Sequence, residues 1–266
     1  MATVAATGLD EVGVGRPFRA AVLVVVAGFF LIPVLASARY SLLGTHGHIT
    51  LSAYRSLFAD PNFWASLWLS FKIAVGSMLL TAALVVPTSI WVNSRSPRLA
   101  RAMDAISLLP LGVPSVVVVL GFLGAYHGLL SILLSSPLIL VPIYAMLALP
   151  YSYRTFDTAV RALQVGPLTD AAHSLGAGWI ATTLHVLLPN LRAGLLGALI
   201  LSGAFALGEF VVASLLSFTT FPVYIVQIGL TAAAEAVAVS LVALLIAFLP
   251  LSVITLAGRG GSKGVV

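Results

Sequence analysis

Residues 170–189 read DAAHSLGAGWIATTLHVLLP, a small, polar, glycine-bearing stretch between two long apolar runs. It carries an acid, two histidines, two glycines and a closing proline, in a chain otherwise oily enough for a bilayer. Whether it is a loose connector or a shaped element decides what kind of membrane protein this is.

Of the 266 residues, 60% are hydrophobic and 8% charged, and the mean hydropathy is +1.12. A soluble domain carries about a quarter charged residues. This composition cannot cover a water-facing surface, so the chain reads as an all-α polytopic membrane protein. The absence of cysteine excludes a disulfide framework, a thiol nucleophile and a cysteine-based metal site. In a soluble protein the net charge of +5 would suggest nucleic acid. Here the basic residues read as topology signals, and no nucleic-acid partner is expected.

A helical span needs roughly 20 mostly apolar residues. Six stretches meet that length: residues 20–38, 69–92, 105–126, 130–151, 193–214 and 236–256. Pro33, Pro87, Pro110, Pro114 and Pro142 fall inside them, which membrane helices tolerate when neighbours satisfy the freed backbone groups. Six spans place both termini on one side. With that side cytoplasmic, the inner segments hold Arg16, Arg19, Arg95, Arg98, Arg101, Arg154, Arg161, Arg192, Arg259 and Lys263. The outer side keeps Arg39, Arg55 and Lys72, the asymmetry expected of an inward N-terminus. Arg16, Arg19, an apolar run and Ala36-Ser37-Ala38 also have the layout of a signal peptide. The run is long for that role and its small-residue site abuts Arg39, which favours an uncleaved first span.

The expected organisation is an N-terminal cytoplasmic tail over residues 1–18, a transmembrane domain over 19–257 and a C-terminal cytoplasmic tail over 258–266. No phosphate-binding glycine loop and no internal duplication stand out. Were the chain a transporter, any energy source would have to be an ion gradient or another chain.

About forty residues, 152–192, join the fourth and fifth runs, longer than an unstructured loop usually is. Gly166-Pro167 fits a helix start with proline at its first position. Asp170 lies where a carboxylate favours the helix dipole. Ala171, Ala172, Ser174 and Leu175 continue the helix, and Gly176 suits a left-handed stop. A second helix fits residues 179–188, with Ile180, Leu184 and Leu187 on one face and Pro189 at its exit. The result is a helix–glycine–helix elbow over 166–189. A helix this short is not stable alone in water, so packing on its own domain or on another protein must hold it. An ordinary interfacial loop is the competing reading.

The stretch resembles the EAA motif of permease subunits in binding-protein-dependent ABC importers: Glu-Ala-Ala, three residues, Gly, nine residues, Ile-x-Leu-Pro. Asp170-Ala171-Ala172 is followed by three residues and Gly176, then by nine residues and Val186-Leu187-Leu188-Pro189. Asp stands for Glu and Val for Ile. The shorter carboxylate puts in doubt any contact needing the full reach of glutamate. The likeness extends over roughly residues 67–256, through LPLGVPSVVVVLGF (109–122), LALPYSYRT (147–155) and ALGEF (206–210).

That resemblance implies a type I importer fold, with six transmembrane helices and a cytoplasmic coupling helix between the fourth and fifth. Asp170, Ala171, Ala172, Ser174, Leu175, Gly176 and Pro189 would form the coupling to a cytoplasmic ATPase. The chain would be half of a translocation pathway and no enzyme itself. ATP and Mg would sit on the partner, with no cofactor bound here. The implied partners are two ATPase subunits, a second permease subunit (identical or homologous), an extracytoplasmic solute-binding protein and the lipid bilayer. The implied location is a bacterial inner membrane, with both termini cytoplasmic.

Glu209 falls in the outer half of the fifth run, and an intramembrane acid is a functional-site hypothesis by default. Lining the solute path and a structural or gating role both remain open for it. Glu235 and Lys72 near outer span ends are further pathway candidates, which snorkelling also explains. His127, His173 and His185 lack metal-ligand spacing, so no metal is expected. The segment GEFVVASLLSFTTFPVYI (208–225) resembles the branch importing polyamines, ferric iron, thiamine, phosphonates and oxyanions. The expected cargo is a small charged solute such as a polyamine. An ion-coupled secondary transporter is the alternative; it would be expected to show inverted repeats. An intramembrane enzyme would need convergent catalytic groups that do not stand out, and a purely structural assembly subunit is the third alternative.

Overall fold

The computed structural model describes residues 16–43, 48–125 and 135–260. The predicted tail residues 1–15 and 261–266, and His127, lie outside the described residues. In chain order the helices are α1 (Arg16–Leu42), α2 (Ser52–Ala59), α3 (Pro61–Arg95) and α4 (Pro97–Ser107). A 3₁₀ turn (Leu109–Gly112) leads to α5 (Ser115–Ala125), and another (Pro137–Ile139) leads to α6 (Leu140–Leu163). The elbow follows as α7 (Val165–Ser174) and α8 (Trp179–Asn190). The chain continues with α9 (Arg192–Gly208), α10 (Val211–Leu215), α11 (Phe221–Gly229) and α12 (Ala233–Gly260). The described residues form an all-α architecture without a strand.

Two compact units make up the chain: residues 1–60 with 225–266, and residues 61–224. In the first unit α12 packs on α1 and α2. Ser41 Oγ and Tyr54 Oη share a hydrogen bond of 2.8 Å, tying the end of α1 to α2. The apolar side chains of α1, including Val24, Phe29 and Ile32, are largely exposed, as a lipid-facing helix requires.

In the second unit α3, α6 and α9 pack against one another. One apolar cluster gathers Ile73, Tyr144, Leu147, Ala206, Val212 and Val223; the other gathers Val85, Phe156, Val165, Leu187 and Leu191. Hydroxyls pin α3 to its neighbours at several levels. Ser70 Oγ accepts from the Phe221 amide at 2.7 Å, Ser77 Oγ donates to the Val141 carbonyl at 3.3 Å, and Thr81 pairs with Ser202 at 3.0 Å. Helices in lipid gain little from apolar contact alone, so close packing and such bonds carry their association. Gly194 and Gly197 on α9 provide the close approach, since a Cβ at Gly194 would overlap that of Ala159 and one at Gly197 would lie 3.1 Å from Thr155 Cγ2.

The helix boundaries correct several span expectations. The second run is a 35-residue helix that starts eight residues before residue 69. The third, 105–126, is not one helix: residues 97–112 and 115–124 meet at 88°. Pro110 and Pro114 remove amide donors there, and the Leu109–Gly112 turn takes up the break. The fifth, 193–214, stops at Gly208, where Glu209 is extended (φ −75°, ψ 123°). Where the fourth run was expected to end, at 151, α6 continues to Leu163; residues 126–134 lie outside the described residues. Helix α12 extends to Gly260. Among the described residues, two single helices, 20–42 and 61–95, are long and apolar enough to cross a membrane. Two bent pairs, 97–124 and 179–208, qualify if each is one span.

Candidate functional site

The elbow begins where α6 ends. Gln164 adopts a left-handed conformation (φ 52°) and its amide closes on the Arg161 carbonyl at 3.1 Å. The chain then restarts directly as α7 at Val165, so Pro167 is the third helical residue rather than the first. Proline remains harmless there, because the amides of a first turn have no intrahelical acceptor.

Val165, Thr169 and Ala172 lie on one face of α7 and are buried. Val165 belongs to the cluster with Phe156, Val160 and Leu187, and Thr169 Oγ1 donates back to the Val165 carbonyl at 2.7 Å. The other face is presented outward: Asp170, Ala171, Ser174, Leu175 and Gly176 are all exposed, Leu175 to 89%. Rooting on three positions answers why so short a helix persists.

Gly176 has φ +83°. Its amide donates to His173 O at 2.9 Å, and the Ala177 amide reaches Ala172 O at 3.0 Å. That pair is a Schellman closure, which demands a left-handed residue at this position. A Cβ there would meet nothing within 4 Å. The glycine is required by backbone conformation and not by crowding.

The apolar stripe expected on the second helix is split. Leu187 is 1% exposed, whereas Ile180 is 68% and Leu184 52% exposed. The cause is a π turn over Thr183–Leu187, which shifts the register; Thr182, Thr183, Leu187 and Leu191 take the buried positions instead. Pro189 is exposed at the end of α8, and the chain turns by 83° into α9.

A polar anchor directly before the elbow was not singled out by sequence reading. Asp157 of α6 is 4% exposed. Its Oδ1 accepts from Ser89 Oγ at 2.9 Å and from Asn93 Nδ2 at 2.7 Å, both on α3. Its Oδ2 accepts from Arg161 Nε at 2.6 Å. A second pair, Arg154 Nε to Asp104 Oδ1 at 3.3 Å, joins α6 to α4. Ser89 with Asn93, and Asp157 with Arg161, are each four residues apart, so each pair shares a helix face. In the sequence these arginines stand out only as topology signals.

The three pathway candidates sit on different elements. Glu209 is 8% exposed and sits at the break after α9. Its Oε1 accepts from the Val211 and Val212 amides at 3.0 and 3.2 Å, and its Oε2 accepts from Val212 at 3.0 Å. The carboxylate thus satisfies the opening amides of α10, an arrangement the GEFVV sequence alone does not reveal. Glu235 lies in the first turn of α12 and its Oε1 accepts from Ser56 Oγ at 2.7 Å. Lys72 is exposed and lies eleven residues into α3. His173 is exposed on α7, while His185 Nδ1 lies 3.1 Å from the Ala181 carbonyl. No three metal-binding side chains cluster among the described residues.

Comparison with known proteins places these features in context. Residues 85–259 match the profile of the family described as "Binding-protein-dependent transport system inner membrane component". The thiamine transport system permease protein ThiP of Escherichia coli is 27% identical over 208 residues, covering 74% of this chain and 38% of that protein. The probable transport system permease protein NifC of Clostridium pasteurianum is 25% identical over 193 residues, covering 68% of this chain and 64% of that protein. Each of these matches therefore spans less than two thirds of the relative's own length. The sulfate transport system permease protein CysW of Synechocystis is 29% identical over 225 residues, or 77% of this chain and 80% of the relative. The relatives are transport permeases rather than enzymes. The chain belongs to the family of binding-protein-dependent transport system inner membrane components, the permease subunits of ABC importers.

Proposed function

We propose that this chain forms half of the translocation pathway of an ATP-driven importer, with α7 and Gly176 seated on a cytoplasmic ATPase subunit. The observation that carries this reading is the elbow itself. Val165, Thr169 and Ala172 root it in the core, while Asp170, Ala171, Ser174, Leu175 and Gly176 face outward, and among the described residues nothing covers the exposed Leu175. The small side chains at 171 and 174 allow a second backbone to come close. The Asp157 anchor ties α6, which runs into the elbow, to α3. A push on α7 would then reach two long helices as one body, provided ATP and elbow bias the same two-state element.

In this reading ATP and Mg are held by the partner chain, a second permease subunit completes the pathway and an extracytoplasmic protein delivers the solute. Both termini face the cytoplasm. The relatives are named for thiamine, molybdenum and sulfate. A polyamine has no counterpart among them, so we take the cargo to be a small polar solute of the kinds those relatives are named for.

The test is affinity purification from host membranes followed by uptake in proteoliposomes. Leu175→Glu changes an exposed side chain and should leave insertion intact while lowering recovery of the ATPase about tenfold, the effect of about 1.4 kcal/mol at an interface. Wild-type complex should take up thiamine, molybdate or sulfate only with ATP inside. Equal ATPase recovery in the variant removes α7 as the docking element. Uptake driven by an ion gradient without ATP would favour a secondary transporter.

A further inference from the structure

Helix α4, PRLARAMDAIS, has no role in the reading above. Ser96 caps it, accepting from the Arg98 amide at 3.2 Å, and Pro97 occupies its first position. Its three sides differ in chemistry. Ala100 and Ser107 face the protein and are 4% and 5% exposed. Leu99 and Ile106, seven residues apart and so on one stripe, are 42% and 52% exposed. Arg98 and Arg101 form the adjoining stripe, extended by Arg95 at the end of α3, and all three arginines are exposed.

None of the three arginines has an acidic partner among the described residues. Arg101 Nε reaches only the Pro97 carbonyl, at 3.4 Å. Asp104, the one acid in the helix, pairs with Arg154. The patch therefore keeps its full positive charge. The segment Pro97–Gly112 runs at 88° to the uncharged helix that follows, Ser115–Gly124. With that apolar helix directed into the hydrocarbon, α4 lies along the bilayer surface. Its leucine and isoleucine then meet the acyl boundary, with exposed Leu109 and Leu111 beyond them, and its arginines stand at headgroup level.

We infer that Arg95, Arg98 and Arg101 on and beside α4 form a binding surface for the headgroups of anionic phospholipids. A bilayer surface would engage both the charge and the bare apolar stripe next to it. A surface helix uses both features together, because apolar burial and electrostatic attraction add.

The chain, purified in detergent and delipidated, is titrated with phosphatidylglycerol and separately with phosphatidylcholine, with bound lipid read by native mass spectrometry. Wild type should retain phosphatidylglycerol in preference to phosphatidylcholine. Each arginine replaced by glutamine should weaken phosphatidylglycerol binding about fivefold, and the triple variant should lose the preference. The triple arginine-to-lysine variant should keep it. Unchanged phosphatidylglycerol retention in the triple glutamine variant overturns the assignment, as does equal retention of the two lipids by wild type. Unchanged lipid with loss of a co-purifying protein assigns the surface to that protein and also overturns it. If the glutamine variant fails to insert, added salt on wild type decides: retention must fall as charges are screened, and salt-insensitive retention overturns the proposal.

Discussion

The side-chain amide of Asn93 donates to Asp157 Oδ1 at 2.7 Å, linking α3 to α6 four residues before Arg161. With Ser89 and Arg161, it leaves no oxygen of this buried carboxylate unpaired. Removing Asp157 would take the acceptor from the buried Ser89 hydroxyl and leave Asn93 only its bonds to Ser89. Asp157→Ala should destabilise the protein by about 2 kcal/mol, and Asp157→Asn, which keeps an acceptor for α3 but loses the Arg161 pair, by about half that. Thermal unfolding in detergent checks the order. Equal Tm for all three proteins would show that the anchor holds nothing together.

Glu209 makes a separable claim. Glutamine at 209 retains one oxygen for the α10 amides, whereas alanine retains none. Glu209→Ala should cost about 2 kcal/mol and Glu209→Gln about 1 kcal/mol. A capping role also requires the glutamine variant to keep most of its uptake. An abolished uptake with an unchanged Tm would point to contact with the solute instead.

The contact of Gly194 with Ala159 predicts a compensating pair. Gly194→Ala should push α9 from α6 and cost about 1–3 kcal/mol. Ala159→Gly in the same chain should recover most of that loss, because it removes the carbon that blocks the new Cβ. Four melting curves form a double-mutant cycle. Additive losses would mean that the helices do not meet at these two residues.

The π turn in α8 separates two leucines that sequence spacing places together. Leu187→Ala should destabilise by about 2–4 kcal/mol, as expected for a fully buried leucine. Leu184→Gln, at an exposed position, should change stability by under about 0.5 kcal/mol. Similar losses for both would restore the uninterrupted helix that the periodicity predicts.

Gly176 and the rooted face of α7 show what was legible in the residues. A left-handed stop is a local requirement, and Gly176 was the residue able to meet it. The helix start was misplaced by two residues because Gln164, an ordinary side chain, takes the left-handed turn into α7. The Ile180–Leu184–Leu187 stripe failed for a related reason: a π turn changes the period that face-counting assumes. The polar anchor was missed because Ser89 and Asp157 are 68 residues apart, and neither looks unusual in its own helix.

What the sequence by itself determined was the class and the elbow. Membrane burial follows from composition, helix from apolar length, and the stop at Gly176 from backbone sterics; each acts within a few residues. What only the tertiary structure decided was where the long apolar runs break and what the charged groups do there. The run holding Glu209 is as apolar as a span, yet it opens at Gly208, and the carboxylate turns to the amides of α10. The physical reason is that a buried charge must find donors. Which donors are near depends on how α6, α9 and α10 pack, and no local pattern encodes that.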